Sequence, residues 1–174
     1  MVELQEEGCT MIRLAIMDDM DQILDIYASA REYMKIKGNP TQWGDDYPDI
    51  LMLLEDLSLK QLYVIEEDNQ VVGCFVLAGG EDKTYQVIKD GQWRSNQFYG
   101  TIHRIASNGN VSGIFSKCVE YASGMYDYLR VDTHSDNKPM QEAVLREGFV
   151  YTGIIFTYDG SERFAYDWLK NEKK

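Results

Sequence analysis

Two histidines, His103 and His134, are the side chains best suited to move a proton near neutral pH, because imidazole changes charge there. Both fall on predicted strands. Asp132 stands two residues before His134, so strand alternation puts carboxylate and ring on one face, where the carboxylate can orient an imidazole or bind an ammonium group. Arg104 alternates to the face opposite His103. A second kind of chemistry is written in Tyr99 to Met125, where an apolar strand runs through a glycine-containing turn into a helix expected to begin near Asn110. Val111, Ile114, Phe115, Cys118, Val119, Ala122 and Met125 recur at three- and four-residue steps and form its buried face, which turns the Phe115 ring inward. The first turn of such a helix has N–H groups without carbonyl partners, and these together with the dipole favour a phosphate. Gly109 and Gly113 let the backbone approach it.

The remaining elements must carry these groups. Met11 to Ile16 reads as a first strand, and Asp18 to Lys37 as a helix capped by Asp18 with Met20, Ile23, Leu24, Tyr27, Ala30 and Met34 as its stripe. Gly38-Asn39-Pro40 stops it. The loop that follows carries Trp43, Asp45, Asp46 and Tyr47, aromatic and acidic groups that suit a cation, and leads to a short helix over Asp49 to Leu57. Gln61 to Glu67 and Val71 to Ala78 form a hairpin across Asp68-Asn69-Gln70. Gly79 to Phe98 is long, polar and dotted with Tyr85, Val87, Ile88, Trp93 and Phe98, a functional insertion by its length. Leu129 to His134 is a strand, Asn137 to Glu147 a helix closed by Gly148, and Phe149 to Tyr158 with Glu162 to Trp168 a last hairpin across Asp159-Gly160.

The chain has 174 residues, a size that fits one domain with a core of its own. Its net charge of −12 excludes a nucleic-acid partner, which needs a basic surface, and draws cationic small molecules. No apolar run is long enough to span a bilayer. The three cysteines, Cys9, Cys74 and Cys118, lack zinc-type spacing and an even count, so no metal site or disulfide framework is indicated and free thiols in a reducing cytoplasm are expected. Residues 1–10 have no signal-peptide character and read as a disordered extension. Glu6-Glu7-Gly8 is a run that a ribosome-binding site could encode, which points to a natural start at Met11, with one domain over 11–174.

Asn110-Val111-Ser112-Gly113-Ile114-Phe115 is similar to the CoA pyrophosphate loop of the GNAT superfamily of acyl-CoA-dependent N-acetyltransferases, keeping its central glycine but not its first and last residues. Asn137 through Gly148-Phe149 resembles the family's later helix, which begins with an Asn at the pantetheine arm. The resemblance covers nearly all of Met11 to Trp168. It implies a mixed, mostly antiparallel α/β sheet of six to seven strands flanked by about four helices, with acetyl-CoA as co-substrate. Cofactor contacts are implied at Ile105, Ala106, Ser107, Asn110, Gly113, Ile114, Phe115 and Asn137. It further implies a primary amine of a small molecule as acceptor, which Trp43, Tyr47, Tyr85 and Trp93 are expected to receive on loops flanking the split between two central strands. A second copy of the chain is a candidate partner.

Direct transfer in a ternary complex needs a group to take the amine's proton. The family's strand glutamate is absent from Tyr99 to Ser107, which leaves His103, His134 and Asp132 as catalytic candidates. The family's helix tyrosine, acid towards the thiolate, aligns with Val144, and Tyr151 and Tyr158 are candidate replacements. These departures also fit a degenerate domain that binds an acyl-CoA as a sensor without catalysis.

Overall fold

The computed structural model describes residues 10–171, and the expected extension lies outside them except for Thr10. The chain opens with β1 (Thr10–Leu14), a 3-10 turn at Met17–Asp19, α1 (Met20–Ile36) and α2 (Ile50–Ser58). There follow β2 (Leu62–Glu67), β3 (Gln70–Gly79), a 3-10 turn at Lys83–Tyr85, β4 (Gly100–Ser107) and α3 (Ile114–Ser123). β5 (Tyr128–Thr133), α4 (Lys138–Arg146), β6 (Val150–Phe156) and β7 (Glu162–Leu169) complete it. The strands form one seven-stranded sheet in the order β1-β2-β3-β4-β5-β7-β6, as the resemblance implied. Every neighbouring pair is antiparallel except β4 and β5.

β2 and β3 are apolar along nearly their whole length because helices cover both faces of the sheet. On one side Ile23 and Tyr27 of α1 and Leu53 of α2 pack on Leu62, Val64 and Val76; on the other, Phe115, Cys118 and Val144 of α3 and α4 pack on Phe75, Ile102 and Val131. Burying each such side chain contributes roughly 1.5–3 kcal/mol. The β2–β3 turn has φ of 51° at Asp68 and 62° at Asn69, a two-residue connection whose twist matches a hairpin.

Several boundaries depart from expectation. Asp18 does not cap α1: a 3-10 turn intervenes, and Asp19 is drawn inside to accept from Arg13 at 2.7 and 2.8 Å and from the Ile16 N–H at 2.8 Å. α3 starts at Ile114 rather than Asn110, because Gly113 sits at φ 71° and ψ 22°, a left-handed conformation that interrupts the helical path. It ends before Met125, which is 53% exposed and no part of the buried stripe. β5 ends at Thr133, so His134 lies on a turn and not on a central strand. Residues 79–98 pack over the sheet, with the Arg94 side chain ion-paired to the buried Asp167 at 2.5 Å.

Candidate functional site

β4 and β5 pair at Gly100 with Leu129 and at Thr101 with Arg130, and then part. From Ile102 to Ser107 the edge of β4 therefore has no ladder partner on β5. A cleft of about 1550 Å³ opens at the split, walled by β4, the end of β5, one face of α4 and the loop after α1. At its base the hydroxyls of Thr101 and Thr133 are buried and have no hydrogen-bond partner among the described residues.

The course of β4 along this cleft is set by a bulge. Cys74 faces Ala106 and Val76 faces His103, so two steps of β3 oppose three of β4. Arg104 absorbs the extra residue at φ 48°. Its carbonyl accepts from the Tyr27 hydroxyl at 2.6 Å, and its guanidinium reaches both oxygens of Asp56 on α2 at 2.7 Å and the Tyr47 hydroxyl at 3.2 Å. Burial pushes the Asp56 carboxyl up, an effect that Arg104 offsets only in part. The bulge cancels simple alternation, so Arg104 lines the cleft beside His103 instead of pointing away from it.

His103 has a partner that no sequence pattern marked. Asp82 begins the 3-10 turn at Lys83–Tyr85, where one of its oxygens accepts from the N–H and hydroxyl of Thr84 at 2.8 and 2.6 Å. The other lies 3.0 Å from His103 Nε2. Burial disfavours the Asp82 anion, but the hydrogen bonds from His103 and Thr84 outweigh it and hold the carboxyl down at about 2. Across the split, Asp132 accepts from the Tyr85 hydroxyl at 2.7 Å, and the Tyr85 ring stands 6.0 Å from that of His103. Burial first, and Asp132 second, push the Tyr85 hydroxyl well up, so it stays a donor.

At the opposite end of the cleft, α3 presents the N–H groups of its first turn, which helix geometry leaves without partners. Gly113 has nothing within 4 Å of where a Cβ would stand, so its glycine is required by φ and not by crowding. Asn137 caps α4 by accepting from the Met140 N–H at 3.2 Å. Its amide donates at 3.0 Å to Gln42 Oε1, which also accepts from Asn39 at 2.8 Å.

The structure thus brings His103 and Asp132 to one cleft and leaves His134 out of its wall. The His134 Nδ1 accepts from the Asp136 N–H at 3.1 Å, which is a local turn contact. Trp43 and Tyr47 line the cleft, whereas Tyr85 belongs to the core and Trp93 stacks on the Arg130 guanidinium at 4.1 Å in a neighbouring groove. Ile105, Ala106, Ser107, Ile114 and Asn137 line the cleft. Asn110 and Gly113 lie exposed on the loop before α3, and the Phe115 ring turns inward against Phe149 at 5.8 Å, as its stripe position requires. Val144 is buried in the core, and Tyr151 packs on Phe164 and Tyr166. Tyr158 stands on the cleft rim, 85% exposed. The Cys118 thiol is pushed well up by burial and cannot serve as a nucleophile. Asp82, Gln42 and Asp56 were not anticipated. For Asp82 an Asx-type cap two residues before Thr84 was the available signal.

No family model matches the chain, and no curated protein matches it in sequence. Solved structures do match. An acetyltransferase of the GNAT family from Streptococcus agalactiae superposes with a TM-score of 0.83 at 27% identity, over 94% of this chain and 96% of that one. A putative acetyltransferase from Staphylococcus aureus gives 0.66 at 27% identity, over 92% and 99%. A putative acetyltransferase from Salmonella typhimurium, solved with its cofactor acetyl-CoA, shares the fold at 0.58 and 17% identity, over 94% and 95%.

Proposed function

We propose that the chain, which belongs to the GNAT superfamily, moves an acetyl group from acetyl-CoA to a primary amine of a small molecule by direct transfer in the β4/β5 cleft. The observation that carries this reading is the Asp82–His103 pair facing a split parallel strand pair. The cleft suits an acyl-CoA on two counts. The unpaired edge of β4 offers amides and carbonyls to an extended, amide-bearing arm, as a sheet edge does to a peptide. The first turn of α3 and the left-handed Gly113 offer backbone N–H groups to a pyrophosphate. Ile105 to Ser107 and Asn137 line the arm's course in this reading, with Asn110 and the amides of Ile114 and Phe115 at the phosphates.

Acetyl-CoA supplies an activated acetyl group as a thioester. His103 takes the proton that the amine must lose as its nitrogen bonds to the acetyl carbon, and the carbon–sulfur bond breaks. Asp82 holds the imidazole with Nε2 tied and stabilises its charged form. Asp132, fixed by Tyr85, attracts the ammonium form of the acceptor, while Trp43 and Tyr47 offer it ring faces. With Val144 in the core, the hydroxyls of Thr101 and Thr133 are the donors at the base of the split for the departing sulfur.

Calorimetry with acetyl-CoA followed by thiol release over a panel of amines tests the reading. Saturable binding with amine-dependent thiol release is expected. Binding without release for any amine supports the sensor, and a folded protein with no affinity for CoA esters removes both.

A further inference from the structure

Lys83, Arg104 and Arg163 are the lysine and arginines of the cleft wall, and their surroundings differ. Lys83 is exposed on the rim, and Arg104 is engaged by Asp56 and Tyr47. Arg163, on β7, is 7% exposed and has no carboxylate partner among the described residues. Its Nη1 donates to the Glu162 carbonyl at 3.0 Å, which leaves the Nε–Nη2 edge of the fork open to the cleft. The carboxylates nearest in sequence are turned elsewhere, Glu162 to Lys89 at 3.3 Å and Asp159 to the hydroxyl and N–H of Ser161 at 2.6 and 3.0 Å. A buried guanidinium without an anion is costly to hold, and a free edge of this kind grips a carboxylate through two parallel bonds.

The sheet sets this cation beside Asp132. Asp132 stands opposite Ala165 in the ladder of β5 with β7, and Arg163 is two residues from Ala165, so alternation puts all three on one face. Across an antiparallel pair this is a diagonal step of roughly 7–8 Å. Tyr85 packs with Ile155 and Ala165 on that face, and its hydroxyl holds Asp132 by Oδ2 at 2.7 Å. Among the described residues Asp132 forms no ion pair with Arg163 or with any other cation. Opposite charges therefore face one cleft without meeting. An amine alone would leave the guanidinium uncompensated, and a carboxylic acid alone would leave Asp132 so, whereas a molecule that carries both groups compensates both.

We propose that the acceptor is an amino acid, whose ammonium group meets Asp132 and whose carboxylate is held by Arg163. Arg163 is thereby a specificity residue, in contact with the acceptor but remote from the bond that forms. Tyr85, bonded to Asp132 and with its ring centre 6.0 Å from that of His103, joins this pair to the proposed proton acceptor. The assignment rests on the acetyl-transfer reading and names the chemical class of its second substrate.

The test measures thiol release for a series of α-, β- and γ-amino acids, each beside its primary carboxamide, which keeps the shape and loses the charge. In wild type the KM of the best amino acid should lie about 10- to 100-fold below that of its carboxamide. In Arg163→Gln that ratio should fall to within about twofold of unity, and in Arg163→Lys, which keeps the charge and loses the fork, to an intermediate value. Circular dichroism checks folding, and acetyl-CoA affinity by calorimetry should be unchanged. A variant that loses activity equally on amino acid and carboxamide overturns the assignment and leaves acetyl transfer standing. So does a wild-type protein whose KM is no lower for the amino acid, a comparison that needs no variant to fold. A wild-type protein that releases thiol with no amine overturns the acetyl-transfer reading and the assignment with it.

Discussion

Asp82→Asn isolates what the carboxylate does for His103. The substitution keeps size and shape, and the asparagine oxygen can still accept from the N–H and hydroxyl of Thr84, so the 3-10 turn retains its cap. What is lost is the negative charge 3.0 Å from His103 Nε2, between side chains that are 21% and 22% exposed, where water screens the interaction only in part. A hydrogen bond to a charged group at such a site is worth about 1.5–3 kcal/mol. If the imidazole carries the amine's proton in the transition state, that loss translates into a turnover lower by about 10- to 150-fold. Binding of acetyl-CoA, at the other side of the split, should be unchanged. Thiol release for wild type and variant, with acetyl-CoA affinity measured beside it, reads the effect. A variant with wild-type turnover would refute the assignment of His103 and Asp82 and pass the proton to Asp132 or to water.

Three further outcomes follow from the same geometry. Arg104→Met leaves the buried Asp56 without its cation and should cost about 3–5 kcal/mol in urea denaturation; burial raises Asp56, so its contribution is full below the ordinary carboxyl range and is lost as pH rises through the raised value, and the deficit should be smaller at about pH 5 than at about pH 8. Gly113→Val forces a β-branched residue to φ 71°, where no neighbour blocks the side chain, and the strained turn should weaken acetyl-CoA binding by about 1–3 kcal/mol in calorimetry with the fold intact. Val144→Tyr, which would restore the tyrosine that the resemblance leads one to expect, instead overpacks the core and should lower stability by about 1–3 kcal/mol without raising thiol release.

The elements were legible where a local pattern decides them. The Asp68-Asn69 and Asp159-Gly160 turns announced two hairpins, and the spacing of Ile114, Phe115, Cys118, Val119 and Ala122 announced both a helix and the inward turn of the Phe115 ring. Asn137 as the start of a helix closed by Gly148, at φ 87°, was equally clear from residue types. Patterns failed where the chain departs from its own period. Nothing about an arginine marks it for φ 48°, so alternation along β4 set His103 and Arg104 on opposite faces when the bulge places both in the cleft. β5 stops one residue short of His134, and the alternation that paired it with Asp132 has no strand to act on.

The contacts that matter most to the site were out of reach for a different reason. Asp82 and His103 are 21 residues apart, and Gln42 and Asn137 are 95 apart, each pair joined across segments that share no period. One consequence bears on the chemistry. A strand carboxylate acting as base would be rigidly held by its ladder, whereas here the strand supplies an imidazole and a loop supplies the charge beside it. The position of that charge depends on how the 3-10 turn is capped: the Asp82 oxygen that holds Thr84 fixes the direction of the one that meets His103. Thr84 therefore acts on the proposed proton acceptor through Asp82, and its replacement by Val, which retains the backbone N–H bond but loses the hydroxyl bond of 2.6 Å, should slow thiol release by a smaller factor than Asp82→Asn with acetyl-CoA affinity unchanged. Thiol release at the wild-type rate would mean that the Thr84 hydroxyl serves packing of the turn alone.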